Sequence, residues 1–146
     1  MTSFKPLGER EEQLQDRREM YQRQCHPSFY QEGEPTSQIF ADFPRDKGEL
    51  SGTRDSKVTA EESYREYTQV MGLQSVGVWG ISVGEAEDAG SRVVDDSQNP
   101  TKQRVPQGHV YLDMKHMTRI ELKRLRVQLL ERAKARGILY PPKPLA

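Results

Sequence analysis

The sequence predicts an α+β fold: a small mixed or antiparallel sheet packed by two main helices, with a charged N-terminal arm in front. Three observations carry this. Two segments open on a capping box and close on a glycine, Thr59/Glu62 with Gly72 and Thr118/Glu121 with Gly137. Between them runs the most apolar stretch of the chain, Leu73 to Val83, which is rich in β-branched residues. At 146 residues the chain holds one domain with a single core, and not two of ordinary size.

Apolar residues make up 34% of the chain, below the usual ~45–50%, while charged residues reach 30%, so part of the chain is expected to lie outside the core. Residues 1–24 are assigned that part. Glu9 to Gln24 is almost wholly polar, relieved only by Leu14, Met20 and Tyr21. It reads as a mobile arm or as a helix with a narrow seam that waits for a partner.

Residues 25–140 form the compact domain. From Cys25 to Leu50, His26-Pro27, Gly33-Glu34-Pro35, Phe43-Pro44 and Lys47-Gly48 forbid a long helix, so the segment is expected to be irregular and to pack by Phe29, Tyr30, Ile39, Phe40 and Phe43. The helix Thr59 to Met71 presents Ala60, Tyr64, Tyr67 and Met71 at spacings of four, three and four, a buried face. Ser75 to Val83 is expected to be a central strand, with Trp79, Ile81 and Val83 on one face and Val76 and Val78 on the other. Arg92 to Val94 and His109 to Leu112 are further strands, the second turning Val110 and Leu112 to the core. Leu122, Leu125, Leu129 and Ala133 form the apolar stripe of the helix Thr118 to Arg136. Residues 141–146 are a Pro-rich tail, where Pro141, Pro142 and Pro144 cannot prolong that helix.

The counts of basic and acidic side chains are equal, 22 each, so any attraction to nucleic acid or anionic lipid has to come from a local patch. No apolar leader opens the chain and no run of about 18 apolar residues occurs, which predicts a cytoplasmic protein with no membrane partner. Cys25 is the only cysteine, so an intramolecular disulfide and any zinc site with two thiolates are excluded, and an ordinary reduced thiol is expected.

The C-terminal helix carries Arg119, Lys123, Arg124, Arg126, Arg132, Lys134 and Arg136 against Glu121 and Glu131. Such a helix suits an acidic protein partner or a phosphate backbone. As a plain solvated face, it would instead pair some charges with the acidic Glu85–Asp96 region and gain from the helix dipole at its C-terminal end. Glu85 follows the apolar strand directly, where a carboxylate held at a rigid strand end serves acid–base work or forms an acidic turn. His109, Asp113 and His116 would share a strand face and its exit, but lack the regularity of a metal-binding helix, so a single hydrogen bond for His109 is expected and neither a metal nor a cofactor. Gly72, Gly77 and Gly80 are not followed by the Lys-Ser/Thr of a phosphate loop, and no nucleophile elbow is present.

Taken in order, His26-Pro27, Thr36-Ser37-Gln38-x-Phe40, Pro44-x-Asp46-Lys47, Leu50-Ser51, Ala60-Glu61, Gly72-Leu73-x-Ser75-Val76-Gly77-Val78-Trp79, Ser82-Val83-x-Glu85 and His109-Val110 resemble a group of small bacterial proteins of unknown activity associated with mobile-element, toxin or defence gene clusters. The resemblance runs from about Cys25 to Tyr140. It implies a role in genetic conflict, as an accessory protein or as an effector acting on NAD, a nucleotide or RNA. For an effector, His26, Ser37, Asp46, Ser51, Glu85 and His109 are the catalytic candidates, polar positions that no packing argument explains. Because no complete catalytic constellation is present, the preferred expectation is an accessory or interaction protein that engages another protein. A toxin-type enzyme and a nucleic-acid binder through Arg119, Lys123, Arg124, Arg126 and Arg132 stand as alternatives.

Overall fold

The computed structural model describes residues 3–102 and 106–142. Its elements follow in the order β1 (Glu12–Gln13), β2 (Met20–Gln24), β3 (Tyr30–Gln31), β4 (Glu34–Pro35), β5 (Glu49–Arg54), α1 (Ala60–Arg65), β6 (Val78–Ser82), α2 (Val83–Asp88), β7 (Val93–Asp95), β8 (His109–Asp113) and α3 (Arg119–Arg136). Six strands form one antiparallel sheet in the order β1-β7-β8-β5-β2-β6. The strands β3 and β4 make a separate hairpin, turned by Glu32 and Gly33, both at positive φ. The α+β architecture is as expected.

Strand alternation sorts the sheet into two different faces. One carries Tyr21, Leu50, Ile81, Val93, Val110 and Leu112, all fully buried, and α3 completes its core with Leu125, Leu129 and Ala133. The capping box of Thr118 and Glu121 starts α3 where the sequence places it, and Gly137 ends it at φ 90°. Ile39 and Phe40, on a 3-10 turn at Ser37–Phe40, close the same core. The opposite face presents Gln22, Thr53, His109, Tyr111 and Asp113, with buried Val78 and Val94 beside them, and is mostly polar.

Several expectations are corrected. Glu9 to Gln24 is neither a helix nor an arm. It supplies β1 and β2, and β2 lies between β5 and β6 inside the sheet. Its low hydropathy has a physical cause: Leu14, Tyr21 and Cys25 enter the core, while Gln22 and Gln24 face the polar side, where hydrogen bonds satisfy them. The strand around Trp79 is shorter than expected, since Val83 opens α2, and it is an edge and not a centre. Both its faces are nonetheless covered because the C-terminal segment seals the edge, with Leu139 N donating to Val78 O (2.8 Å) and Val78 N to Tyr140 O (3.1 Å). The predicted irregular segment ends in an unforeseen strand, β5. The first helix is capped by Thr59 and Glu62 as expected, but passes into a π-helical stretch at Glu66–Val70. Its buried residue is Ser63, while Met71 is 46% exposed and Tyr64 and Tyr67 are half-buried. Pro141 and Pro142 follow the sealing segment, and the rest of the tail lies outside the described residues.

One close approach ties three strands together. The Tyr21 ring lies over Gly52, and its hydroxyl donates to the carbonyl oxygens of Leu50 (2.8 Å) and Ser51 (2.9 Å). A Cβ at position 52 would stand 2.4 Å from Tyr21 Cε2 and 2.7 Å from Gln22 O. Gly52→Ala is therefore expected to destabilise the protein by about 2 kcal/mol or more, read as a lower urea midpoint. A wild-type midpoint in that variant would mean the ring is not clamped on the strand.

Candidate functional site

The predicted site residues separate into two groups. Four sit at the starts of turns or helices, three of them as caps. His26 Nδ1 accepts from Ser28 N (3.1 Å) at the start of the turn Pro27–Phe29, and Ser37 opens the turn Ser37–Phe40. Asp46 Oδ2 accepts from Phe43 N (2.9 Å). Glu85 accepts from Ser82 N (2.8 Å) at the head of α2 and pairs with Arg136 at 2.8 Å. Burial alone would raise the Glu85 pKa, but the Arg136 guanidinium and the Ser82 N–H outweigh it and hold the carboxyl below its ordinary range.

The other two, Ser51 and His109, share a cleft of about 550 Å³ on the polar sheet face, beneath α1 and beside Pro106 and Gln107. Pairing of β5 with β8 brings them there, with Thr53 opposite His109 and Ser51 opposite Tyr111. His109 Nδ1 meets Asp96 Oδ1 at 2.6 Å, leaving Nε2 as the free nitrogen of the ring. Asp96 is buried and also takes Lys102 Nζ at 2.8 Å. The one hydrogen bond expected of His109 is present. The floor of the cleft, which the sequence did not reveal, is a chain of neutral polar groups. Gln22 Nε2 donates to Thr53 Oγ1 and to Val58 O (both 3.1 Å), Thr53 Oγ1 bonds Ser63 Oγ (2.8 Å), and Gln24 Nε2 donates to Ser63 Oγ (3.1 Å). A glutamine inside a polar run carries no sign of burial in the sequence; only the pairing of β2 with β5 reveals it.

Next to the cleft the same face is closed by charge. Tyr111 OH donates to Glu11 Oε1 (2.7 Å), and Lys102 and Lys115 stand over its ring at 4.5 and 4.8 Å. Lys102 Nζ reaches Glu49 (2.6 Å) and Glu11 (3.2 Å) besides Asp96. Burial and the carboxylate neighbours push the Tyr111 hydroxyl well above its ordinary range, so it acts as a donor. Asp113 is held by Arg92 at 2.8 Å and His116 Nε2 by Gly90 O at 2.9 Å. Among the described residues no group of His, Cys, Asp and Glu is placed to hold a metal ion. Cys25 is buried, and burial pushes its thiol up to about 12, which removes it as a nucleophile.

On α3, successive residues turn by about 100°. Ile120 and Val127 therefore stand along the outer line of the helix, opposite Leu125 and Leu129, and are 65% and 52% exposed. Lys123 and Arg124 flank that line. Arg119 and Arg126 lie on the Lys123 side and Arg132 on the Arg124 side, so the five basic residues do not share one face. At the C-terminal end Lys134 pairs with Glu34 (2.9 Å) and Arg136 with Glu85. Arg119, Lys123, Arg124 and Arg126 make no ion pair among the described residues.

Comparison with known proteins finds no family model, no curated protein and no solved structure that matches this chain. Among the described residues no helix is long and apolar enough to cross a membrane.

Glu11 gives the charged face a pH signature. Burial would raise its pKa, but hydrogen bonds from Tyr111, Asn99 and Gly8 N, with the charge of Lys102, bring it from 4.5 to about 2. The folded value lies below the unfolded one, so its stabilising contribution is complete above pH 4.5 and is lost as the pH falls through about 2. Glu11→Gln is expected to lower stability at pH 7 by about 1–3 kcal/mol. It should also flatten the loss between about pH 5 and pH 2, measured as urea midpoints across that range. An acid limb as steep as wild type would show that Glu11 is not held by this network.

Proposed function

We propose that this chain is a non-enzymatic interaction protein that docks an acidic, amphipathic segment of another protein on the outer face of α3. The observation that carries the proposal is the first half of that helix. Ile120 and Val127 are large, apolar and exposed, Lys123 and Arg124 flank them without an ion pair, and Arg119 stands in the first turn. The helix dipole disfavours a cation in the first turn, by about 0.3–1 kcal/mol, so the stability of this chain does not call for Arg119. An apolar line between two cations is complementary to a helix or strand with apolar residues bordered by carboxylates. A phosphate backbone would favour cations on one continuous face with no apolar line between them. A cytoplasmic accessory role in a bacterial conflict system is part of the same proposal and rests on the sequence resemblance.

A photo-cross-linking residue at Val127 of the full chain, expressed in its native host, tests this. The linked segment is expected to be protein and rich in Asp and Glu, and Lys123→Glu with Arg124→Glu is expected to cut the yield about tenfold. Linkage to nucleic acid, or a yield indifferent to the charge reversal, would overturn it.

One observation favours the enzymatic reading. An imidazole oriented by a buried carboxylate, with its second nitrogen free in a cleft, is the arrangement of a general base. If that reading holds, induced expression arrests growth and His109→Gln relieves the arrest. Harmless expression of the wild type counts against it.

A further inference from the structure

The floor of the cleft leaves one donor and one acceptor unspent. The Gln22 amide is oriented by Val58 O, a carbonyl that only Nε2 can serve, and the second Nε2 hydrogen goes to Thr53 Oγ1. Gln22 is 3% exposed, yet its Oε1 has no partner, and it is not sealed off: His116 Nδ1 is the one fully buried side-chain nitrogen or oxygen without a partner among the described residues. Thr53 and Ser63 hold two hydroxyl hydrogens between them. Each oxygen already accepts from a glutamine, and the bond between the two hydroxyls uses one hydrogen. Whichever way that bond runs, one O–H donor remains, in the same cleft lining as the Gln22 acceptor. Water in the cleft can meet both groups, and a ligand that pairs with both would take the place of that water.

We propose that the cleft binds a planar ring carrying a C=O beside an N–H, a lactam or a primary carboxamide. Its C=O accepts from the Thr53/Ser63 hydroxyl pair and its N–H donates to Gln22 Oε1. Val58, Tyr67, Met71 and Pro106 supply the apolar walls against which a ring lies. The volume falls within the ~300–1,000 Å³ of small-molecule sites, which leaves space for a substituent beyond the ring. That substituent is not a phosphate. Glu62 and Glu66 line the cleft, and the Arg23 guanidinium on its border is already bound to Ile39 O (3.0 Å) and Ser51 O (2.7 Å). The cleft lies on the sheet face opposite α3, so this proposal stands independently of the docking surface.

Titration of the isotope-labelled full chain, followed by NMR, tests it with nicotinamide for the carboxamide arm and uracil for the lactam arm. Nicotinate and 1,3-dimethyluracil, which lack the N–H, are the controls. At least one of the first two is expected to give saturable shifts at Gln22, Thr53 and Ser63, with its control about tenfold weaker or more. Which of the two binds tells the sources apart. Ser63→Ala, which removes a hydroxyl from the floor, and Tyr67→Leu, which alters only a half-buried wall, should each weaken binding severalfold. No shifts at millimolar ligand, equal binding of probe and control, or shifts elsewhere on the protein would each overturn the assignment.

Discussion

The sheet has two faces to account for, and here most of the large apolar residues cover only one of them. Helix α3 and the turn at Ile39 and Phe40 take the face of Tyr21, Leu50, Val110 and Leu112. On the other face only Val78 and Val94 are buried and apolar among Gln22, Thr53, His109, Tyr111 and Asp113, and a buried polar group without a partner costs about 1–3 kcal/mol. The polar face therefore has to be a bonded network, and it is one of two kinds. Around Tyr111 it is ionic and closed, with carboxylates from Glu11, Glu49 and Asp96 interlocked with Lys102 and Lys115. Around Gln22 it is neutral and open, because α1 meets the sheet through Ser63 and leaves a cleft beside it.

This division explains why the first 24 residues belong to the fold. Glu11 accepts from Tyr111 and Asn99, which lie 100 and 88 residues away in sequence. Glu19 makes a two-pronged pair with Arg54, which also reaches Asp95. Part of the charge of this segment is spent inside the fold, Glu11 on the Tyr111 network, Glu19 on Arg54 and Arg17 on Glu87 and Asp88 of α2. Neighbouring strands come from distant parts of the chain, β1 beside β7 and β2 beside β6, so little of the sheet forms before these long-range pairings do.

What the sequence shows and what it hides follow from the same asymmetry. Both capping boxes, the α3 stripe and the Val110/Leu112 alternation were legible, because each is a local pattern on an element with one apolar face. The strands β2 and β5 were not. In Glu49-Leu50-Ser51-Gly52-Thr53-Arg54 only Leu50 is large and apolar, since Gly52 yields its place to the Tyr21 ring. Of the candidate site residues, Ser51 and His109 lie on strands and meet in the cleft. His26, Asp46 and Glu85 were conspicuous for a different reason: caps demand polar residues beside prolines and apolar runs, which makes a structural position look like a chemical one. Gln22, Thr53 and Ser63 were hidden because their association exists only through strand pairing and a helix contact.

The two ends of α3 show how the demands of stability and of interaction separate on one element. At the C-terminal end Lys134 and Arg136 lie where the dipole favours cations, and both are paired, Arg136 twice over through Glu85 and the Gly80 carbonyl. The fold accounts for them fully. At the N-terminal end Arg119 stands in the first turn against the dipole, and Lys123 and Arg124 follow it without an ion pair among the described residues, while the Glu121 carboxylate is already bound to Thr118 N in the capping box. The exposed apolar residues gather at this same end and at the middle of the helix, not at the paired end. Self-stabilisation thus explains half of the helix, and the half it leaves unexplained combines the charge and the apolar surface that a second chain would need.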